Sequence, residues 1–409
     1  MANVPIYILG GAQSDFARNW HRENKHFVDV MRETVLEGLD RTRLEPLEIQ
    51  TAHIGNFAAE LYTRQGQLGA FFLEIDPAFL GMPTSRHEAA CASGSVAILA
   101  ASAELEAGRY GLAAVVGLEQ MKTVDSVTGG DFLGTAAWYE RECKDKDYPF
   151  PSLFGRLGDE YDKRYGLKDE FLARISEINF ANARRNPLAQ TRNWPGAADD
   201  PRQAAKFEQP IAGRIRIRDC SQVTDGAVVV FLASEQYAAT YAKRRGLTLD
   251  EIPRILGWGH RTARIEFSSK IAESKENPYV LPHTRQAILD AFMRAGISSV
   301  DELSGLETHD CFTTSEYMAI DHFGITAPGQ SWKAIDQGVI EMEGRIPINP
   351  SGGLIGDGHP VGATGVRQLL DAYRQVAGTA GDYQVENAKR FGVLNIGGSG
   401  TTRCAFVVG

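Results

Sequence analysis

Two histidine-bearing motifs and one distant cysteine carry the residue types of thioester chemistry. His309-Asp310-Cys311-Phe312 ends an apolar, strand-like segment. Gly358-His359-Pro360 opens a glycine-rich turn that continues through Gly362, Ala363, Thr364 and Gly365. Far upstream, Cys91 stands in Glu88-Ala89-Ala90-Cys91-Ala92-Ser93-Gly94, at the start of a small-residue, apolar helix. Such a set offers one thiol to carry an acyl group, one to move protons, and imidazoles to assist both.

Each residue also has a plainer reading. A thiol at a helix N-terminus meets the positive end of the dipole and free N–H groups, which favour the thiolate. A buried structural cysteine fits position 91 equally well. Glycines on both sides of His359 permit positive φ and a close approach to a ligand; the alternative is a surface turn histidine. His309 and Cys311 lie two apart, so in extended chain both face one cavity. From there His309 can donate to a carbonyl oxygen and Cys311 can exchange a proton with substrate carbon. Two cysteines with two histidines also suggest zinc, but C-x-x-C and H-E-x-x-H spacings are missing, so no metal is expected. Cys143, Cys220 and Cys404 read as structural. The sequence has no G-x-S-x-G, no P-loop lysine motif and no G-x-G-x-x-G after a strand. Hydrolase, NTPase and dinucleotide-dehydrogenase readings lose ground accordingly.

These residues need a scaffold, and the pattern supplies one. Pro5 to Gly10 reads as a buried strand, Phe27 to Leu39 as an amphipathic helix, and Thr51 to Phe57 as a strand and loop. The Cys91 helix runs to about Gly108 and a strand follows at 113–117. The plan then recurs: a strand at Ile252 to Gly257, a helix at Thr284 to Ala295, a strand at Leu306 to His309, and a helix at Gly362 to Val376. Strands at Phe391 to Ile396 and Thr402 to Val408 close the chain. Alternating strands and helices imply a parallel α/β layer, and the recurrence implies internal duplication. Residues 121–217 differ, being rich in charge, Tyr, Arg and Asn, with turns at Asn186-Pro187 and Trp194-Pro195-Gly196. They read as a helical and loop insertion, after which Thr224 to Leu232 returns to core strand.

A chain of 409 residues predicts two or three domains, each with a real core. The net charge of −9 argues against nucleic-acid binding but leaves room for an anionic ligand held by a few local cations. No charge-free run is long enough to span a membrane. Met1 to Pro5 lacks a basic n-region, and Val407-Val408-Gly409 is not a peroxisomal address. Five scattered cysteines predict free thiols and a reducing, cytoplasmic setting.

Taken in order, the motifs resemble the thiolases from end to end. They are EAACASG around Cys91, HDCF at 309–312, NPSGG…GHPVGATG over 349–365, and a glycine turn at 395–400. The sterol-carrier-protein type is most similar, since it has HDCF where other thiolases have Asn-Glu-Ala-Phe. The resemblance implies an α/β thiolase fold: two duplicated βαβαβαββ halves in a five-layered αβαβα arrangement with an inserted loop domain. The N-terminal half would be 1–120 with 218–262, the loop domain 121–217, and the C-terminal half 263–409. It also implies exchange of 3-oxoacyl-CoA plus CoA for acyl-CoA plus acetyl-CoA, or the reverse Claisen condensation, within lipid metabolism and fatty-acid β-oxidation.

By the same resemblance Cys91 is the acylated nucleophile and His359 takes its proton. Cys311 serves the α-carbon of the acetyl-CoA enolate. His309 and His359 form one oxyanion hole, and backbone N–H groups of Cys91 and Gly397 the other. Common thiolases carry an acid/base cysteine in Cys-x-Gly near the C-terminus; Asn395-Ile396-Gly397 stands there instead, so Cys311 takes that task. No cofactor is permanently bound, coenzyme A and acyl-CoA being substrates. The CoA phosphates would meet Arg184, Arg185, Arg214, Arg216 and Arg218, with Arg192 a further candidate. Phe154-Gly155-Arg156-Leu157-Gly158 would line the acyl or pantetheine channel. A homodimer or homotetramer is implied. Competing readings are a thiolase-like retro-aldol lyase or C-acyltransferase on a CoA-linked substrate with an OB-fold partner, and a non-catalytic acyl-CoA scaffold.

Overall fold

The computed structural model describes residues 4–195 and 200–409, so Gly196 of the Trp194-Pro195-Gly196 turn lies outside the described residues. Most of the strands form where apolar runs are buried on both faces. They are β1 (Ile6–Gln13), β2 (Thr51–Gly55), β3 (Thr84–His87), β4 (Leu112–Glu119), a short hairpin β5 (Pro210–Ala212) with β6 (Ile215–Arg216), β7 (Gly226–Ser234), β8 (Arg254–Thr262), β9 (Gly305–Glu307), β10 (Phe391–Gly397) and β11 (Thr402–Val408). Every residue of β4 is buried, as a strand covered on both faces requires.

Nine strands join in the order β3-β2-β4-β7-β1-β8-β11-β10-β9. Only its two ends are parallel: β2 with β3 and β4, and β9 with β10. The centre is antiparallel, so the expected parallel layer is in fact a mixed sheet. The reason is the order of insertion. After the long excursion beyond β4, the chain returns as β7 between β4 and β1, and alternation of strand and helix along the sequence carries no record of that placement.

The order is also a mirror. On each side of the β1–β8 junction come a first strand, a last strand, and then the strands reached through helices. The junction itself is narrow, pairing only Ile6 with Ile255 and Tyr7 with Arg254. Helix Phe27–Thr42 covers the outer face of one half-sheet and helix Pro282–Ala295 that of the other. Helices Ser93–Glu106 and Thr364–Val376 lie between the two and touch each other. One buried cluster joins Ile6 and Ile8, Ile98 and Ala101, Val366 and Leu369, and Phe391 and Val393, which fixes the central helical layer between two half-sheets. The layers therefore run αβαβα.

Close packing of those central helices sets the site. A Cβ on Gly94 would lie 2.9 Å from the Gly362 carbonyl oxygen, so only glycine lets the Cys91 turn and the His359 turn come this near. Between β4 and β7 run helices Ser126–Gly134, Pro149–Tyr165, Asp169–Ala183 and Pro201–Phe207 with the β5–β6 hairpin. Among the described residues no helix is long and apolar enough to cross a membrane.

Candidate active site

Cys91 sits in a one-turn 3-10 segment, Ala90–Ala92, directly before helix Ser93–Glu106. Ala90 is held at φ 53°, a left-handed conformation unfavourable for a residue with a side chain. Neighbouring side chains enforce it. Glu88 accepts from the Ala90 N–H at 2.6 Å, and the Ser93 hydroxyl donates to the Ala90 carbonyl at 2.6 Å while accepting from the Ala89 N–H. This strained approach presents the thiol to a cavity of about 430 Å³ that Cys311 and His359 also line.

One ligating atom each from Cys91, His309 and His359 lies within 4.8 Å of the others. The rings of His309 and His359 meet edge to face at 5.3 Å. Two halves of the chain thus converge on one point, with Cys311 beside it in the same cavity wall. The trio also has the composition of a three-ligand zinc site. Gly397 ends β10 against Ala89 and Ala92, and it is the following residue, Gly398, whose N–H reaches the Cys91 sulfur.

Burial governs the charges. It pushes the Cys91 thiol up to about 12, against the pull of the Gly398 and Cys91 N–H groups. The helix-terminus argument, which favours a resting thiolate, is outweighed by loss of water. Burial, followed by the neighbouring Cys91, holds the Cys311 thiol well above the usual range. Burial lowers His359 to about 3 and, together with His359, depresses His309 strongly. The resting site is uncharged: two thiols and two neutral imidazoles.

The two imidazoles are opposite tautomers, fixed by their neighbours. The Thr364 hydroxyl has one proton, and it goes to the Pro360 carbonyl at 3.0 Å, since a carbonyl only accepts. Thr364 therefore accepts from His359 Nδ1–H at 2.6 Å, and His359 Nε2 is left bare to take a proton. For His309 the order reverses. Ser95 donates to Asn395 Oδ1 at 2.7 Å, so the amide turns its Nδ2 to His309 Nδ1 at 3.2 Å. An NH₂ group only donates, so the His309 proton sits on Nε2, which is buried without a hydrogen-bond partner. One ring presents a bare Nε2 and the other a protonated one.

Supporting contacts hold both motifs. Asp310 accepts from Leu354 N–H at 2.6 Å, Ile355 N–H at 3.1 Å and Asn179 Nδ2 at 2.9 Å, tying the HDCF segment to the turn before His359. The His359 N–H donates to Thr224 Oγ1 at 2.9 Å. Glu119, at the end of β4, accepts from Asn56 Nδ2 and from the N–H groups of Phe57, Ala58 and Gly362, all within 3.1 Å. Burial raises this carboxyl to about 7.

The cavity is mostly apolar. Phe57, Met121 and Leu133 wall one side, and Tyr148, Phe150 and Ile211 another. The expected channel lining at 154–158 is corrected: residues 148–151, one turn earlier on the helix, face the cavity, whereas Phe154 is buried and stacks on Phe312 at 4.7 Å. The alternation of faces on an amphipathic helix is legible from sequence, but which face meets the substrate is not.

The arginines do not gather at this point. Arg184 is exposed at the end of helix Asp169–Ala183, and Arg185 pairs with Glu343 at 3.2 Å. Arg192 forms a two-pronged pair with Asp15. Arg214 is held by Asp159, Asp162 and Asp169. Arg216 and Arg218 both pair with Glu208. Motif reading also overlooked Asn395, Ser95, Thr364 and Glu119. Thr364 was legible, five residues from His359 inside the same motif; Ser95 and Glu119 act across hundreds of residues and leave no local signal.

The profile of the family described as "Thiolase C-terminal domain-like" matches residues 266–409. The chain is 29% identical over 403 residues to an acetyl-CoA acetyltransferase of Methanothermobacter thermautotrophicus, covering 98% of both chains. It is 24% identical to the sterol carrier protein 2 of Rattus norvegicus over 94% of this chain and 68% of that protein. Among solved structures, the Ltp2-ChsH2(DUF35) aldolase superposes with a TM-score of 0.76 at 17% identity, over 99% of this chain and 97% of that one.

Proposed function

We propose that the chain is a member of the thiolase family and that it transfers acyl groups between CoA thioesters through an acyl-enzyme on Cys91. The observation that carries this reading is the meeting of Cys91, His309 and His359 within 4.8 Å, with one ring bare at Nε2 and the other protonated there.

In thiolysis, Cys91 gives its proton to His359 Nε2 as its sulfur attacks the 3-oxo carbon of a 3-oxoacyl-CoA. Charge develops on that carbonyl oxygen, and His309 Nε2–H is the donor ready for it. The bond between C2 and C3 then breaks. The electron pair leaves on the acetyl-CoA enolate, which takes a proton from the Cys311 thiol and departs as acetyl-CoA. The acyl thioester on Cys91 is attacked by the thiol of a second CoA, whose proton returns to the Cys311 thiolate. Backbone N–H groups of Cys91 and Gly397 are assigned to the thioester oxygen. Cys91 leaves as thiolate and recovers its proton from His359. The reverse sequence is a Claisen condensation using the same groups.

The high thiol pKa supports a concerted start. An ion pair in the empty site would be two buried charges, so proton transfer is coupled to attack. We assign the CoA nucleotide to the 121–217 insertion between halves 1–120 with 218–262 and 263–409, with Arg184, Arg185, Arg214, Arg216 and Arg218 as the phosphate-facing set. We further place the enzyme in the cytoplasm as a homodimer or homotetramer serving lipid metabolism; five free, buried cysteines fit a reducing setting.

A second reading, a retro-aldol lyase working with an OB-fold partner, draws support from the likeness to the DUF35-containing aldolase. It leaves the cavity's two thiols without a task. The deciding assay supplies acetoacetyl-CoA and CoA and separates the products by chromatography. Acetyl-CoA should form with the wild type and not with Cys91→Ala. Equal formation by both proteins would end the acyl-enzyme reading.

A further inference from the structure

Lys270, on helix Phe267–Glu273, is only 4% exposed and forms no ion pair among the described residues. Burying an ammonium without a counter-ion is costly, so its position needs a reason. All three of its hydrogens go to one place. Nζ donates to the Ser399 carbonyl at 2.7 Å, to Ser399 Oγ at 2.7 Å and to Thr401 Oγ1 at 3.0 Å.

Those oxygens belong to the turn between β10 and β11, and that turn forms part of the catalytic wall. Gly398, one residue before Ser399, lines the Cys91 cavity and directs its N–H at the Cys91 sulfur. Gly397 carries the N–H assigned to the thioester oxygen. Gly398 and Gly400 stand at φ 61° and 75°, and a bond from the Thr401 N–H to the Gly397 carbonyl at 2.9 Å closes the turn. So much glycine leaves a turn with considerable conformational freedom to lose, and Lys270 restrains it at both polar atoms of Ser399.

The charges around Lys270 add to the effect. Arg403, buried on β11, donates from Nη1 to the Thr401 carbonyl at 3.3 Å and from Nε to Thr284 Oγ1 at 3.1 Å. Glu142 is the carboxylate that acts on Lys270, but its Oε1 accepts from the Phe267 N–H at 2.8 Å instead. Two buried cations thus stand behind N–H groups that face developing negative charge, where a low dielectric strengthens their pull. Lys270 does not line the cavity, so it acts on the reaction only through the turn.

We propose that Lys270 is a positioning residue for acyl transfer, clamping Ser399 and Thr401 so that the Gly397 and Gly398 N–H groups stay aimed at the thioester oxygen and the Cys91 sulfur. The part concerning the oxygen rests on the acyl-enzyme reading; the part concerning the sulfur does not. Only the ammonium donates to all three oxygens at once, since the free amine has two hydrogens. Burial, followed by Arg403, draws this group down to about 7 against the pull of Glu142, so the clamp loosens as pH rises through neutrality.

The test compares the wild type with Lys270→Met and Ser399→Ala, each checked for folding by circular dichroism. Methyl methanethiosulfonate is applied near pH 6, and modification of the Cys91 peptide is followed by mass spectrometry. Lys270→Met should react about tenfold more slowly and Ser399→Ala about threefold, through a weakened Gly398 bond to the thiolate. The double variant should be no slower than Lys270→Met. In acetoacetyl-CoA cleavage, Lys270→Met should lose about thirtyfold in kcat with KM changed less than about twofold. The ratio of wild-type to Lys270→Met kcat should narrow as pH rises from about 6 to about 8, because the wild type then loses the ammonium that the variant lacks. Cys91 modification at the wild-type rate or faster in Lys270→Met overturns the proposal, as does a kcat ratio that ignores pH. Should Lys270→Met not fold, Ser399→Ala decides by the same thiol readout, since it removes only one of the three acceptors. A wild type that fails to cleave acetoacetyl-CoA would end the acyl-transfer reading and leave the thiol readout to judge the clamp.

Discussion

Asn395 offers a sharp test of how the site assigns its protons. Its Nδ2 donates to His309 Nδ1 at 3.2 Å, its Oδ1 is held by Ser95 at 2.7 Å, and the residue is fully buried. Asn395→Asp is nearly isosteric yet replaces the donor with an acceptor. His309 must then carry its proton on Nδ1, and Nε2 loses the hydrogen proposed for the developing oxyanion. Loss of one such donor costs about 3–4 kcal/mol of transition-state stabilisation, so kcat should fall by about 10²–10³ at neutral pH. A carboxylate beside Nδ1 also raises the imidazole pKa, and the imidazolium donates from both nitrogens. Asn395→Asp should therefore regain activity as pH falls, while the wild type does not. In a His309→Ala background the Asp substitution should cost nothing further. The assay is the steady-state rate of acetoacetyl-CoA cleavage against pH for the single and double variants. Wild-type activity in Asn395→Asp, or an equal and pH-independent loss in Asn395→Ala, would refute the tautomer argument and leave Asn395 a packing residue.

Thr364→Val removes the acceptor for His359 Nδ1–H and frees the ring to present the wrong nitrogen; kcat should drop about 10²-fold with KM little changed, read by the same assay. Stability should carry the mark of His359. Its folded pKa of about 3 lies below the ordinary 6.5, so between these values the unfolded chain binds the extra proton and stability declines as pH falls. Relative to His359→Gln, the wild type should lose about 1.4 kcal/mol per pH unit below 6.5, measured by urea unfolding at pH 7, 6 and 5. The carboxyls of Glu119 and Glu307, raised to about 7, work in the opposite sense in both proteins and cancel in the comparison. Finally, a thiol at about 12 should alkylate slowly in the substrate-free enzyme. The rate with iodoacetamide at Cys91 should keep climbing through pH 9, and a plateau below pH 8 would show a resting thiolate.

Much of the site was legible because its chemistry sits in short motifs. Cys91, His309, Cys311 and His359 are each flanked by small or turn-forming residues that folded cores do not otherwise need; the structure brings Cys91, Cys311 and His359 to one cavity and sets His309 beside Cys91 and His359. Helices such as Phe27–Thr42 and Pro282–Ala295 were readable from their periodic apolar faces. What sequence left out was whatever depends on partners far along the chain. The antiparallel centre of the sheet follows from β7 entering between β4 and β1, a placement no local pattern records. The protonation of Cys91 follows from its burial, which outweighs the helix-terminus effect visible in sequence. Asn395 read as a missing cysteine; only its contacts with Ser95 and His309 show a residue with its own task.

The central claim is that Cys91 carries the acyl group. Intact-protein mass spectrometry of the wild type and Cys91→Ala, mixed with acyl-CoAs of graded length including acetoacetyl-CoA, tests it directly. An acyl adduct on the wild type alone is the predicted result, with the best-retained chain reporting what the apolar cavity accepts. An adduct on Cys91→Ala, or none on the wild type with any acyl-CoA, would contradict it.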